Sequence, residues 1–332
     1  MMRDEIWDEV LRKYAPDPER YYKRMNMTKK LIPVETLRKW EIPEVAIVGI
    51  AGLGDWIEKD QNPNQRITAE ELSKDYDDCL RLGVSALHPH ARDEEGVPAN
   101  YDTFKVRDFM HRVIDPLRKK YGRSFVVEGG IGYYGKTFED NLWPIQERFF
   151  EVVYQHPLMG QIGDFVTSWS PKADPQAFSE YCERNGVKVA IDVHDTSHIE
   201  NAKKWLIDTG ILSKPTFWHI LGHLSAGFIY MPNQKALIEG LLFMAERIKE
   251  IDRDAVIYVS MSGRGSIFNV ALALMLGFHV RVGMEDTIWR YPHRDEILRS
   301  NLEVAQDVLQ IAGLLGRRPA TGDEYRKIVG IK

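Results

Sequence analysis

Two cysteines in 332 residues are too few for a disulfide framework. Cys79 and Cys182 form no metal-type or redox-type pair, so they read as reduced thiols in a cytoplasmic protein. No run of about 18 apolar residues occurs, which leaves no candidate membrane helix. The opening "MMRDEIWDEVLRKYAPDPERYYKRM" is charged throughout and lacks an apolar core, so no secretory leader is expected. Positive charge is not in excess. With 44 Lys and Arg against 49 Asp and Glu, the net charge is −5, which argues against a nucleic-acid partner. Linker-like and low-complexity stretches are also missing. The remaining balance, 44% hydrophobic and 28% charged, is that of a globular protein.

What is present is a repeat of short apolar runs, each ending in Gly, Ser, His or an acid. They are "VAIVGIAG" (45–52), "SALHPHAR" (85–92), "SFVVEGGIG" (124–132), "DFVTSWS" (164–170), "KVAIDVHD" (188–195), "TFWHILG" (216–222), "AVIYVSMSG" (255–263) and "HVRVGMED" (279–286). Runs this short and apolar suit strands buried on both faces of a parallel sheet. Amphipathic helical patterns lie between them. "TAEELSKDYDDCLRLG" opens with Thr68 and carries Glu71 three residues on, the spacing of a capping box. "NQKALIEGLLFMAERIKEI" and "RGSIFNVALALMLG" have helical spacing, the latter stopping at Gly277, and "RDEILRSNLEVAQDVLQIAGLLG" is expected to close the order. Eight strand–helix repeats predict an α/β protein with a (β/α)8 barrel over residues 41–332, and a doubly wound open sheet is the second reading. Residues 1–40 are expected to form a helical extension.

In a barrel, the C-terminal strand ends converge on one mouth. Here they carry His88, His90, Arg92, Glu128, Thr167, Ser168, Ser170, His194, Asp195, His219, Ser262, Arg264, Arg281, Glu285 and Asp286. In "HPHARDEEG" the two histidines alternate on a strand, so both rings face the same side. They either ligate one ion, with zinc the usual candidate, or hydrogen-bond in a polar layer. Zinc needs a third ligand, and Glu285 is a candidate. Glu285 and Asp286 cannot both sit ionised and unpaired in a dry place. A metal would take one and leave the other as a base, and both reach one site only if the chain bends after Met284. Otherwise Asp286 caps the next turn. "SMSGRGSIFN" offers free N–H groups at a helix start, with Arg264 able to pair a phosphate or carboxylate, or it is an ordinary turn. Gly129 and Gly130 allow close approach of a ligand, and Tyr133, Tyr134 and Trp143 either wall a pocket or pack outside the barrel. His194, His198, His219 and His223 are expected to give supporting polar contacts. An amidohydrolase barrel would place its His-x-His on the first strand, whereas "VAIVGIAG" comes first here.

Taken together, "NPNQRITAEEL", "HPHARDEEGVP", "SGRGSIFNVALALMLGFHVRVGMEDTIW" and "SNLEVAQDVLQIAGLLGRRPATGDEYRKIVGI" resemble the β-keto acid cleavage enzymes, the family of the 3-keto-5-aminohexanoate cleavage enzyme. The resemblance runs from about residue 44 to the C-terminus. It implies a (β/α)8 barrel, and a divalent metal, usually zinc, held by His88, His90 and Glu285. It also implies that Asp286 and Arg281 serve the chemistry. The implied reaction is a retro-Claisen-type exchange of a β-keto acid with acetyl-CoA as co-substrate. Its products would be acetoacetyl-CoA and a new CoA ester, or the equivalent partition. The implied assembly is a homo-oligomer, often a tetramer.

Thr167, Ser168, Glu128, Gly130, Trp56 and Arg264 are the candidate substrate-binding residues. Two stretches depart from the family pattern. Val127-Glu128-Gly129-Gly130 stands where many members have Ser-Thr-Gly-Gly. Trp56, with Asp55 beside it, stands where the founding enzyme has a glutamate for its substrate's ammonium. These departures keep a second reading open, a metal-dependent hydrolase or C–C lyase that does not use CoA. A non-catalytic barrel that senses a small carboxylate is the third.

Overall fold

The computed structural model describes residues 4–14, 17, 38–93, 95–99, 102–130, 139–157, 159–162, 166–169, 172–222 and 231–331. The chain divides into two compact units, residues 1–42 and 43–332. The first contains a helix, Glu5–Tyr14, which begins with acids and ends with Arg12 and Lys13, as the helix dipole favours.

Among its described residues the second unit has twelve strands. They are β1 (Val45–Ala46), β2 (Val48–Ala51), β3 (Ala86–His88), β4 (Val126–Gly130), β5 (Val152–Gln155), β6 (Met159–Ile162), β7 (Val166–Trp169), β8 (Lys188–Val193), β9 (Phe217–Gly222), β10 (Val256–Met261), β11 (His279–Val282) and β12 (Arg318–Pro319). Eight of these, β2, β3, β4, β5, β8, β9, β10 and β11, close into a barrel in chain order. Every pairing around it is parallel. Helices Ala69–Arg81, Thr103–Tyr121, Ala173–Arg184, Gln234–Ile251, Ser266–Met275 and Asn301–Leu314 supply the outer layer. This is the (β/α)8 architecture read from the repeats. Among the described residues no helix is long and apolar enough to cross a membrane.

Local chemistry explains the helix boundaries. Thr68 caps Ala69–Arg81 through the Glu71 N–H, and Glu71 bonds back to complete the capping box. The last long helix starts later than its pattern suggests. Ser300 caps it at Asn301 by accepting from the Glu303 N–H, while Trp289 and Ile297 upstream form an isolated bridge.

The fourth barrel strand differs from the expected one. "DFVTSWS" supplies β7, which pairs antiparallel with β6 outside the barrel. The barrel uses Val152–Gln155 instead, between β4 and β8. Both segments are β-branched and aromatic, so propensity does not separate them. Val152, Val153 and Tyr154 are buried, as a barrel strand requires.

The lower end of the barrel is plugged by the C-terminal helix Gly322–Val329, whose Tyr325 and Val329 pack with Ile47, Ala86, Val126, Val152 and Phe217. The Tyr325 hydroxyl donates to Glu128 Oε2 at 2.8 Å, while Tyr154 and Tyr258 donate to Oε1 at 2.8 and 3.1 Å. A fully buried carboxylate is tolerable here because both oxygens have partners.

A candidate metal centre at the barrel mouth

The site begins with the end of β3. His88 closes that strand, and His90 follows just beyond it. Their Nε2 atoms converge to 3.1 Å. Glu285 Oε2 faces both, 3.7 Å from His88 Nε2 and 3.6 Å from His90 Nε2. These three edges bracket the roughly 3.3 Å separation of donors held about 2.05 Å from a tetrahedral zinc ion. Glu285 Oε2 is buried with no hydrogen-bond partner, and the three donors come from buried or nearly buried groups. The donor set therefore fits a zinc-sized cation.

The question of how adjacent acids reach one site is answered at Gly283. Strand β11 ends at Val282, and Gly283 turns with φ +152°. A Cβ there would lie 1.9 Å from the Ala51 carbonyl oxygen, so only glycine fits. The chain bends at Gly283 and turns on through residues 284–286, where the Asp286 N–H donates to Gly283 O at 3.2 Å, so the turn expected after Met284 is there and begins at the glycine before it. The Glu285 N–H donates to Ala51 O at 3.1 Å. Asn301 Oδ1 accepts from the Met284 N–H at 2.8 Å, and Gln65 Nε2 donates to Met284 O at 2.7 Å. Gln65 and Asn301 were not singled out in the sequence. Their amides clamp the turn, Gln65 from a loop and Asn301 from the first residue of a helix.

Both acids then meet one guanidinium. Arg281 Nη2 lies 3.3 Å from Glu285 Oε1 and 3.2 Å from Asp286 Oδ1. Burial pushes the Glu285 carboxyl up to about 7, with Arg281 and His90 opposing the rise. Burial also raises Asp286, again against Arg281. His88 is driven well below its ordinary value by burial and by Arg281. His90 goes the other way, to about 9. Burial disfavours its charged form, but Asp55, 3.2 Å from Nδ1, and Glu285 outweigh that. A neutral imidazole, a second one beside a carboxylate, and a paired spare acid form one concentrated polar cluster. The ring of Tyr154 fixes its floor, edge-on to His88 and His219 and beneath Arg281.

The other candidates are not all brought to this cluster. Gly130 ends β4 with open space beside it. Trp56 is exposed, while its neighbour Asp55 pairs with His90. Arg264 stacks on Trp289 at 3.6 Å and pairs with Asp295 at 2.5 Å, facing a separate groove with Asn233 and His293. Glu128 lies beneath Tyr154 with its oxygens occupied by the three tyrosines. Thr167 and Ser168 lie on the β6–β7 hairpin, where only the backbone is described. Tyr133, Tyr134, Ser170 and His223 lie outside the described residues. Trp143 is buried beside Phe149, in the outer packing.

Comparison with known proteins shows the family. The sequence model of the beta-keto acid cleavage enzyme family matches residues 46–331, and the chain belongs to that family. It is 28% identical over 299 residues to the 3-keto-5-aminohexanoate cleavage enzyme of Acetoanaerobium sticklandii, covering 87% of this chain and 99% of that one. It is 23% identical over 291 residues to the 3,5-dioxohexanoate:acetyl-CoA acetone transferase of Paraburkholderia graminis, covering 82% and 91%. Among solved structures, apo ObcA superposes with a TM-score of 0.67 at 16% identity, over 81% of this chain and 66% of that one, a likeness of fold.

Proposed function

We propose that the chain is a divalent-metal-dependent enzyme that cleaves a β-keto acid with acetyl-CoA in a retro-Claisen-type exchange. Family membership carries the class of reaction. Acetyl-CoA is named in the Paraburkholderia graminis relative. The readings as a CoA-independent hydrolase and as a sensor lose their motive once the family is shown.

The single observation behind the metal is the convergence of His88, His90 and Glu285. The donor set, two imidazoles and a carboxylate, favours zinc. When bound, the ion supplies electrophilic stabilisation of charge developing on the keto oxygen. The protein's own groups do the rest. Asp286 lies beside the metal donors but is not among them, so it is free to take or give a proton. Arg281 opposes the burial-driven rise of that acid and positions it, through the 3.2 Å contact. Tyr154 and the buried floor exclude water from below.

Mass balance narrows the products. One CoA enters, so one thioester leaves. Breaking the bond between the keto carbon and the carboxymethyl carbon gives an acyl group and a carboxymethyl group. The acyl group leaves on CoA, and the acetyl group joins the carboxymethyl fragment as acetoacetate. Acetoacetyl-CoA together with a second CoA ester would need two CoA groups.

The test is metal analysis of the purified protein, with detection of acyl-CoA and acetoacetate across a panel of β-keto acids. A metal-free protein whose Glu285→Ala variant turns over like wild type would sink the proposal.

A further inference from the structure

A second group of donors lies on the neighbouring strands. His156 follows β5, Asp192 is in β8 and His194 follows it. His156 Nδ1 is 3.0 Å and His194 Nε2 is 3.2 Å from the same oxygen, Asp192 Oδ2. All three donor atoms lie within 4.8 Å of one another. None of them belongs to the His88–His90–Glu285 set.

We propose that His156, Asp192 and His194 form a second divalent-cation site, distinct in its ligands from the one at His88. The spacing is that of neighbouring donors around a transition cation, about 3.0–3.4 Å for bonds near 2.1 Å. His156 Nδ1 is buried 3.0 Å from the carboxylate oxygen. Two imidazoles and one carboxylate suit zinc or another borderline divalent cation better than calcium or magnesium.

The carboxylate is supported as a ligand's carboxylate would be. Asp192 Oδ1 lies 2.7 Å from His219 Nδ1, and His219 Nε2 lies 2.8 Å from Ser260 Oγ. The His219 ring thus bridges the Asp192 carboxylate and the Ser260 hydroxyl. That chain fixes Asp192 from behind and leaves Oδ2 facing the two histidines. The His194 backbone N–H donates to His198 Nδ1 at 3.2 Å, which anchors the turn carrying the third donor. Asp192 and its histidines are buried or nearly so, and ion binding at such a preformed cluster needs little rearrangement.

The test counts ions on the full chain. Chelator-stripped protein is titrated with Co²⁺, whose visible absorption reports bound metal. Wild type should saturate at two equivalents and the His156→Ala/His194→Ala variant at one. Saturation of both at one equivalent overturns the proposal. A zinc-edge anomalous map of wild-type crystals removes any dependence on the variant's folding. A peak within bonding distance of Asp192 is expected, and a map with a peak only between His88, His90 and Glu285 overturns the second site. A peak only at Asp192 would instead retain this site and remove the proposed catalytic one.

Discussion

Gly54→Ala should remove metal from the proposed catalytic site although residue 54 is not a ligand. A Cβ at position 54 would lie 2.2 Å from Glu285 Cγ, 3.0 Å from its Cβ and 3.1 Å from its Cδ. Carbon atoms rest at about 3.5–4.0 Å, so Glu285 must retreat by about 1 Å or more. It has little freedom to do so, because its amide is tied to Ala51 and the preceding residue is clamped by Asn301 and Gln65. Metal bonds tolerate only about 0.2 Å. Perturbing a group that merely supports a ligand costs about 10–100-fold in affinity. Displacing the ligand itself should cost at least about 100-fold, or roughly 2.7 kcal/mol at 1.36 kcal/mol per decade. Overpacking should also lower stability by about 1–3 kcal/mol. Zinc competition against a chromophoric chelator, with thermal unfolding alongside, measures both. Gly130→Ala is the matched control, since a Cβ there meets nothing within 4 Å, and it should retain wild-type zinc affinity. A Gly54→Ala protein with wild-type affinity and melting temperature would refute the reasoning.

Other outcomes follow from the same geometry. Asp286→Asn should lower kcat by about 10²–10⁴-fold while zinc content stays at the wild-type level, and loss of zinc instead would make Asp286 a ligand. Tyr325→Phe removes one donor from the buried Glu128 and should destabilise by about 1–3 kcal/mol in urea unfolding, with zinc affinity retained. His279 is held down to about 3 by burial, and its Nδ1 accepts from the Ile47 N–H. The unfolded ring gains a proton below about 6.5, while the folded ring stays neutral until about 3. Stability from this group is therefore complete above pH 6.5 and is lost as pH falls towards 3. His279→Asn should weaken that acid sensitivity between pH 7 and pH 4.5, and an unchanged slope would count against it.

The barrel was legible because its strands are short, apolar and regularly spaced, and because β-branched runs ending in polar residues recur. Its fourth strand was not, since Val152–Gln155 and Val166–Trp169 have the same local character and only closure of the sheet chooses between them. His88 and His90 were legible from their alternation, and Glu285 and Asp286 from the cost of adjacent acids. The turn after Met284 was read from the two acids, but its start at Gly283 was not, because the restraint there is a carbonyl from another strand. Asp192 was hidden inside the apolar run "VAIDVH", and His156 followed the unrecognised strand. Their proximity is a property of neighbouring barrel strands, which one sequence does not reveal. Glu128 was placed at the mouth by its position near a strand end, but three tyrosines from β5, β10 and the last helix claim it.

The tie between Tyr325 and Glu128 also bears on the order in which the protein is completed. Glu128 is buried at the centre, but one of its three hydroxyl partners lies 197 residues further along the chain. A nascent chain short of that helix holds a carboxylate with a missing donor beneath an open floor. The ring of Tyr154, which shares that carboxylate and packs against His88, is therefore fully braced only once the Gly322–Val329 helix is in place. A chain that stops before Tyr325 would carry every proposed ligand while lacking the brace beneath them.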